Sequence, residues 1–348
     1  MTTATAVSGA SHKKLVKRAP PDRSQALRRA FQFGFLALNL WIAIEFYRFV
    51  RYYETGGRSG FAVRPPGVEG WLPIASLMNL KVLLLTGEVP AIHAAGMFLL
   101  IAFVAMSWVF RKAFCGWLCP VGTVSEYLWR FGRYVFGRNF HLPRPLDIAL
   151  RSLKYILLGL FLYVVISMPV VALRAFLALP YGLIADVKML NFFRFLGTTG
   201  AIVLAILLVA SVFVRNFWCR FLCPYGALMS AVSAMSPLGV RRDTNLCIDC
   251  GKCARECPSR LPVDQLISIK SAECTGCLEC VASCPVDQAL ILAAPKRRAL
   301  PAWTLAGGMV VIFLGLYGWA VWTGHWHTKL PDSVYMELVP RANEFSHP

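Results

Sequence analysis

Charge is what this 348-residue chain has least of: Asp, Glu, Lys and Arg make up 16% of it, against about 25% in an ordinary soluble domain. Acids are the scarcer kind, 18 against 36 Lys and Arg, which leaves a formal net charge of +18. So little charge excludes an ordinary soluble enzyme. The surplus of bases reads as anchoring at a membrane face, with no nucleic acid as partner. Histidine is rare, six in all, and only His93 falls at membrane depth. A b-type haem needs two histidines on facing helices, which one chain cannot supply here, and the missing Cys-x-x-Cys-His motif excludes a c-type haem. None of the 12 cysteines stands outside a short regular motif, which excludes a scattered disulfide framework. No small-residue cleavage site follows the first apolar run, so that run is expected to be an uncleaved anchor.

What the chain has in excess is apolar surface, with 57% hydrophobic residues and a mean hydropathy of +0.56. That composition makes it a membrane protein. Five blocks approach the roughly 20 residues a spanning helix needs: 31–50, 92–109, 153–173, 201–217 and 301–322. Basic residues gather at one set of ends: a tail at 1–30, then Arg111, Lys112, Arg151, Lys154, Arg215, Arg220 and the run Lys296-Arg297-Arg298. The positive-inside rule places these ends in the cytoplasm of a bacterial cell and the tail 324–348 on the periplasmic side of its inner membrane. Arg48, Arg51, Arg58, Arg64, Arg174 and Arg194 in the outer loops make that bias moderate. Glu45, inside the first span, is a functional candidate as an intramembrane acid or pairs with Arg48 near the interface.

An internal repeat lies within residues 31–230, which are expected to form a four-helix membrane core. RKAFCGWLCPVG at 111–122 and RNFWCRFLCPYG at 215–226 share arginine, both cysteines, leucine, proline and glycine at an offset of 104 residues, and Leu72-Pro73 with Lys81 is echoed by Leu179-Pro180 with Lys188. Spans one and two are thus expected to be related to spans three and four by an axis along the membrane normal.

Residues 241–295 change character. CIDCGKCARECP (247–258) and CTGCLECVASCP (274–285) each read C-x2-C-x2-C-x3-C-P, the bacterial dicluster ferredoxin run, in which the fourth cysteine of each motif serves the other cluster. One [4Fe-4S] cluster takes Cys247, Cys250, Cys253 and Cys284, and the second takes Cys274, Cys277, Cys280 and Cys257. Tetrahedral zinc needs only two spaced pairs and explains neither the third cysteine nor the closing proline. Such a unit moves single electrons and needs no substrate pocket.

Cys115 with Cys119, and Cys219 with Cys223, are each one helical turn apart and present both thiols on one face if the span continues through them; the prolines would then end or bend the helix. If the repeat holds, four thiols meet near the inner membrane surface. They would form a metal or further iron-sulfur site, or a redox thiol pair; the plainer reading is small cysteines that ease helix packing.

Two Cys-x3-Cys-Pro motifs at span ends, followed by a dicluster ferredoxin, make residues 31 to 290 resemble the NapH/NosR-type membrane-bound 4Fe-4S ferredoxins, with the CcoG group as a relative. The resemblance implies a membrane part that exchanges electrons with quinol. It also implies an iron-sulfur part that relays them to a protein redox partner, a periplasmic reductase system or its cofactor maturation. Against that pattern, the chain lacks the large periplasmic flavin domain of NosR, and a fifth span (299–323) with a short tail stands where CcoG has an extra C-terminal domain. The expected fold is an all-α polytopic membrane protein of about five spans with an inserted α+β dicluster ferredoxin. The expected function is electron transfer between quinone and a partner, more a subunit of an oxidoreductase system than an enzyme by itself. Its rivals are a cupric reductase that uses the paired cysteines and a redox-sensing regulator.

Overall fold

The structure, a computed structural model, describes residues 17–295 and 298–347. Lys296 and Arg297 of the last basic run, and the tail before residue 17, lie outside the described residues. The first helix, α1 (Ser24–Glu54), has 31 residues, about 46 Å at 1.5 Å per residue and well beyond the roughly 30 Å apolar thickness of a bilayer. It therefore begins seven residues before the expected span and projects at both ends. A 3-10 turn, Pro66–Trp71, leads to α2 (Pro73–Thr86) and α3 (Ala94–Val109). After α4 (Ala113–Trp117) and α5 (Pro120–Phe136) come α6 (Arg144–Ser167), α7 (Val170–Ala178), α8 (Pro180–Leu183), α9 (Ala185–Arg194) and α10 (Thr198–Phe213). A π-helical turn, Trp218–Leu222, precedes α11 (Pro224–Ser233).

Four of the five apolar blocks each fall on one helix, while the block at 153–173 breaks at Pro169 between α6 and α7, and the helices are unequal. By length and composition α1, α6 and the last apolar helix, Ala302–Trp322, are able to cross a membrane alone. The blocks at 92–109 and 201–217 shrink to α3 and α10, 16 residues each, about 24 Å. α10 is joined to α9 at an 81° bend. The two short helices stop early because the chain turns sharply before each cysteine motif, with Arg111 at φ 62° and Asn216 at φ 51°. α3 is apolar all round and largely buried, as a helix at the centre of a bundle must be.

The ferredoxin segment is a three-stranded antiparallel sheet, β1 (Gly239–Arg242), β2 (Ser268–Ile269) and β3 (Leu290–Ala293), in the order β2-β1-β3. Val240 pairs with Ile269 on one side and Leu292 on the other. Two short helices, α12 (Lys252–Glu256) and α13 (Glu279–Ala282), complete it. Sequence composition marks this segment as a separate insert, yet it shares one core with the membrane part: Phe103, Met106, Phe114 and Trp117 pack in the same cluster as Val240, Leu261, Ile269 and Leu278. Burying each such side chain contributes about 1.5–3 kcal/mol, so the ferredoxin part is welded on and does not swing from a linker. The last apolar helix, α14 (Ala302–Trp322), lies against α3, and the tail folds back as α15 (Asp332–Leu338). Tyr335, Leu338 and Val339 close over Phe46, Phe49 and Tyr53 at the far end of α1.

Candidate metal centres and the cavity between them

The two Cys-x3-Cys-Pro motifs do not ride on the ends of spans. Each sits on a short turn of its own, α4 for Cys115 and the π-helical turn for Cys219. Cys119 and Cys223 are extended residues, φ −63° and −74°, that cap α5 and α11. Pro120 and Pro224 therefore start the next helix where the sequence reading expected an ending, since proline at N1 gives up no intrahelical bond. The backbone turns back on each sulfur: the Gly226 N–H donates to Cys223 Sγ at 3.2 Å, and Val121 and Gly122 amides face Cys119. A Cβ at Gly122 would collide with the Cys115 carbonyl oxygen, so only glycine permits this fold of the loop.

These loops bring all four cysteines together. Cys219 lies within electrostatic reach of Cys223, Cys119 and Cys115, and the four line one end of a single cavity of about 920 Å³. Most of its remaining wall is apolar: Phe35 and Ile42 from α1, Leu99 and Phe103 from α3, Phe313 from α14. Among the described residues no three His, Cys, Asp or Glu close on a single-ion geometry. The four thiols at the cavity wall are the kind of donor set that a metal or an iron-sulfur group takes.

In the ferredoxin part the eight cysteines line two separate hollows. Cys247, Cys250, Cys253 and Cys284 line one, Cys257, Cys274, Cys277 and Cys280 the other. Burial pushes the thiols of Cys253, Cys257 and Cys284 up, against the pull of amides from Ala254, Leu261 and Val286 aimed at the sulfurs. Arg242 adds a donor 3.5 Å from Cys247 Sγ. Desolvated sulfurs with backbone donors pointed at them are the surroundings a thiolate-bound cubane needs. The residues present therefore fit two such clusters.

The paired-thiol loop rests directly on the second ferredoxin motif. Trp117 Nε1 donates to the Gly276 carbonyl at 3.0 Å, and a Cβ at Gly116 or Gly276 would come to 3.0 Å of the Thr275 carbonyl oxygen or 3.1 Å of that of Phe110. Arg28, 1% exposed, spans the seam: its Nε donates to the Gly116 carbonyl at 3.0 Å and its guanidinium binds Glu279 at 2.8 Å and Glu126. Arg111 donates to the Ser233, Ile269 and Ser271 carbonyls. Lys154 holds Glu273 at 2.7 Å with Lys112 3.9 Å away, and burial is outweighed by these two ammonium groups, so the Glu273 carboxyl sits below its usual range. Sequence reasoning took these bases for topology signals. Arg111, Lys112 and Lys154 are all buried and fasten the ferredoxin part to the membrane part.

His93 is no haem ligand in waiting. Its Nε2 lies 2.9 Å from the Gly182 carbonyl, and its Nδ1 faces Arg64 and Glu69 in a buried outer network that includes Asp186. Glu45 pairs with Arg48 at 2.8 Å.

Comparison with known proteins agrees with this architecture. Residues 92–143 and 196–242 both match a family described as a 4Fe-4S binding domain, each stretch holding one Cys-x3-Cys-Pro motif, and 239–293 match a 4Fe-4S dicluster domain. YccM of Escherichia coli K12, whose name describes an electron transport protein, is 49% identical over 92% of this chain and 91% of its own length. The chain belongs to the NapH/NosR-type 4Fe-4S family. Two other members are more distant: the ferredoxin-type protein NapH of E. coli K12, 26% identical over 62% of this chain and 72% of NapH, and the regulatory protein NosR of Pseudomonas aeruginosa, 28% identical over 73% of this chain but 37% of NosR. No solved structure matches. As a NapH/NosR-type protein the chain is a membrane-associated iron-sulfur electron-transfer protein.

Proposed function

We propose that the chain passes electrons between the membrane quinol pool and a protein redox partner. One observation carries this reading: the loop of Cys115 and Cys119 walls an apolar cavity on one side and touches the second ferredoxin motif on the other. The cavity volume is within the roughly 300–1,000 Å³ of small-molecule sites, and its greasy wall suits a quinone. Cys115, Cys119, Cys219 and Cys223 would hold a third iron-sulfur group, next to the cluster of Cys274, Cys277, Cys280 and Cys257, with the cluster of Cys247, Cys250, Cys253 and Cys284 as the outlet. Cys250 is exposed there. A quinol gives up two electrons and two protons, and one-electron centres in series take the electrons singly.

Replacing Cys253 by Ser tests the cluster assignment. The variant should lose the signal of the exposed cluster and keep that of the inner one, read by electron paramagnetic resonance and iron content, where the two ferredoxin clusters account for about eight irons. Loss confined to the inner cluster would show the crossover reversed, and zinc in place of iron would remove the assignment.

On this reading the ferredoxin part lies on the cytoplasmic side of a bacterial inner membrane and α15 outside, because the single crossing by α14 separates them. A reporter fused after residue 345 should be active only in the periplasm and one within 241–295 only in the cytoplasm. Activity of both on one side would overturn the crossing by α14.

A further inference from the structure

The two motifs agree at Cys-Pro-x-Gly except at x, which is Val121 in one and Tyr225 in the other, and both of these side chains line the cavity at its thiol end. The pseudo-symmetric wall thus carries a phenol on one side only. Tyr225 is held in place by edge contacts to Phe103 and Phe114, with centroids 6.4 and 6.3 Å away, which fixes where its hydroxyl points. Among the described residues none hydrogen-bonds that hydroxyl, although a phenol enclosed by apolar rings ordinarily finds a partner. Lys112 lines the same end of the cavity, and both residues lie beside Cys115 and Cys223. The Lys112 ammonium donates to Ser230 Oγ at 2.7 Å and faces the Glu273 carboxylate at 3.9 Å, which leaves a third N–H for a ligand. A phenol without a partner beside an ammonium, in a largely apolar hollow, calls for a ligand oxygen on an otherwise greasy ring.

We propose that the Tyr225 hydroxyl, with Lys112 beside it, binds a ring oxygen of a quinone and so sets the headgroup against the four thiols. This rests on the quinol reading above and adds to it where the headgroup sits and which way it faces. The isoprenoid tail has an exit: Trp41 on α1 and Leu314 on α14 line the cavity and are 57% and 55% exposed on outward apolar faces. A tail leaving there enters lipid without crossing the ferredoxin part.

The test is equilibrium binding of a short-chain ubiquinone to the purified, oxidised full-length protein with its clusters in place, followed by quenching of the tryptophans that line the cavity, Trp41, Trp71, Trp218 and Trp326. Tyr225→Phe keeps the ring and removes one donor, so it should weaken binding about tenfold, the value of one hydrogen bond to a ligand. Lys112→Met should weaken it as well. An analogue with the same tail but no ring oxygens should bind wild type and Tyr225→Phe equally, which a packing defect would not produce. Equal binding of the quinone by wild type and Tyr225→Phe, with iron content unchanged, overturns the headgroup site alone. Failure of the wild type to bind the quinone at all overturns the quinol reading together with it.

Discussion

Removing one sulfur from either pair is expected to stop quinol-driven reduction of the ferredoxin clusters. Cys119→Ala and Cys223→Ala should each bring the rate to background, and the double variant should be hardly worse, because groups that act as one unit are not additive. The four thiols line one end of one cavity and stand within electrostatic reach of each other, so a group held by all four is lost with any one. Iron in the dicluster part should stay, since Cys119 and Cys223 lie outside both of its hollows. Reduction by dithionite, which needs no membrane entry, should be normal in all three variants. Singles that keep near-normal quinol-driven rates would make these cysteines packing residues. Additive losses would mean two separate sites.

Arg28→Ala is expected to be the most damaging change outside the cysteines. It leaves Glu126, itself 6% exposed, without its closest partner, and breaking a buried ion pair from one side costs about 3–5 kcal/mol. It also unties Gly116 from Glu279, the two loops that the proposed electron path joins. Burial alone would push the Glu126 carboxyl up, but Arg28, Arg130 and Gln32 hold it below the ordinary 4.5. A carboxyl depressed by folding contributes stability that is present above its unfolded pKa and lost as pH falls through the folded value. Thermal unfolding of the solubilised wild type should therefore fall away below about pH 4.5. Arg28→Ala should melt lower at neutral pH and lose less on acidification. Parallel curves offset by a constant would show that Arg28 acts without Glu126.

Much of the architecture was legible because its signals are local. The apolar blocks are continuous stretches, and C-x2-C-x2-C-x3-C-P gathers four cysteines within twelve residues; in the fold Cys247, Cys250, Cys253 and Cys284 line one hollow and the other four a second. What stayed hidden depends on contacts between distant segments. A base near a span end serves the positive-inside rule and a docking seam equally well on paper, and only the folded chain shows Arg111 donating to Ile269 or Lys154 to Glu273. The proline reading failed for a related reason. Proline both ends one helix and begins another, and Arg111 and Asn216, at positive φ, had already ended theirs. Tyr225 was in plain view as the residue that breaks the Cys-Pro-x-Gly echo, but the role proposed for it depends on the cavity, which no spacing reveals.

Anaerobic reduction of the purified protein by a short-chain quinol, followed by low-temperature electron paramagnetic resonance, bears most directly on the whole electron path. Signals of reduced, mutually interacting cubanes should grow on adding quinol and be absent in Cys119→Ala, while dithionite produces them in both. Clusters that dithionite reduces and quinol leaves untouched in the wild type, over the full range of quinol potentials, would contradict electron entry from the membrane.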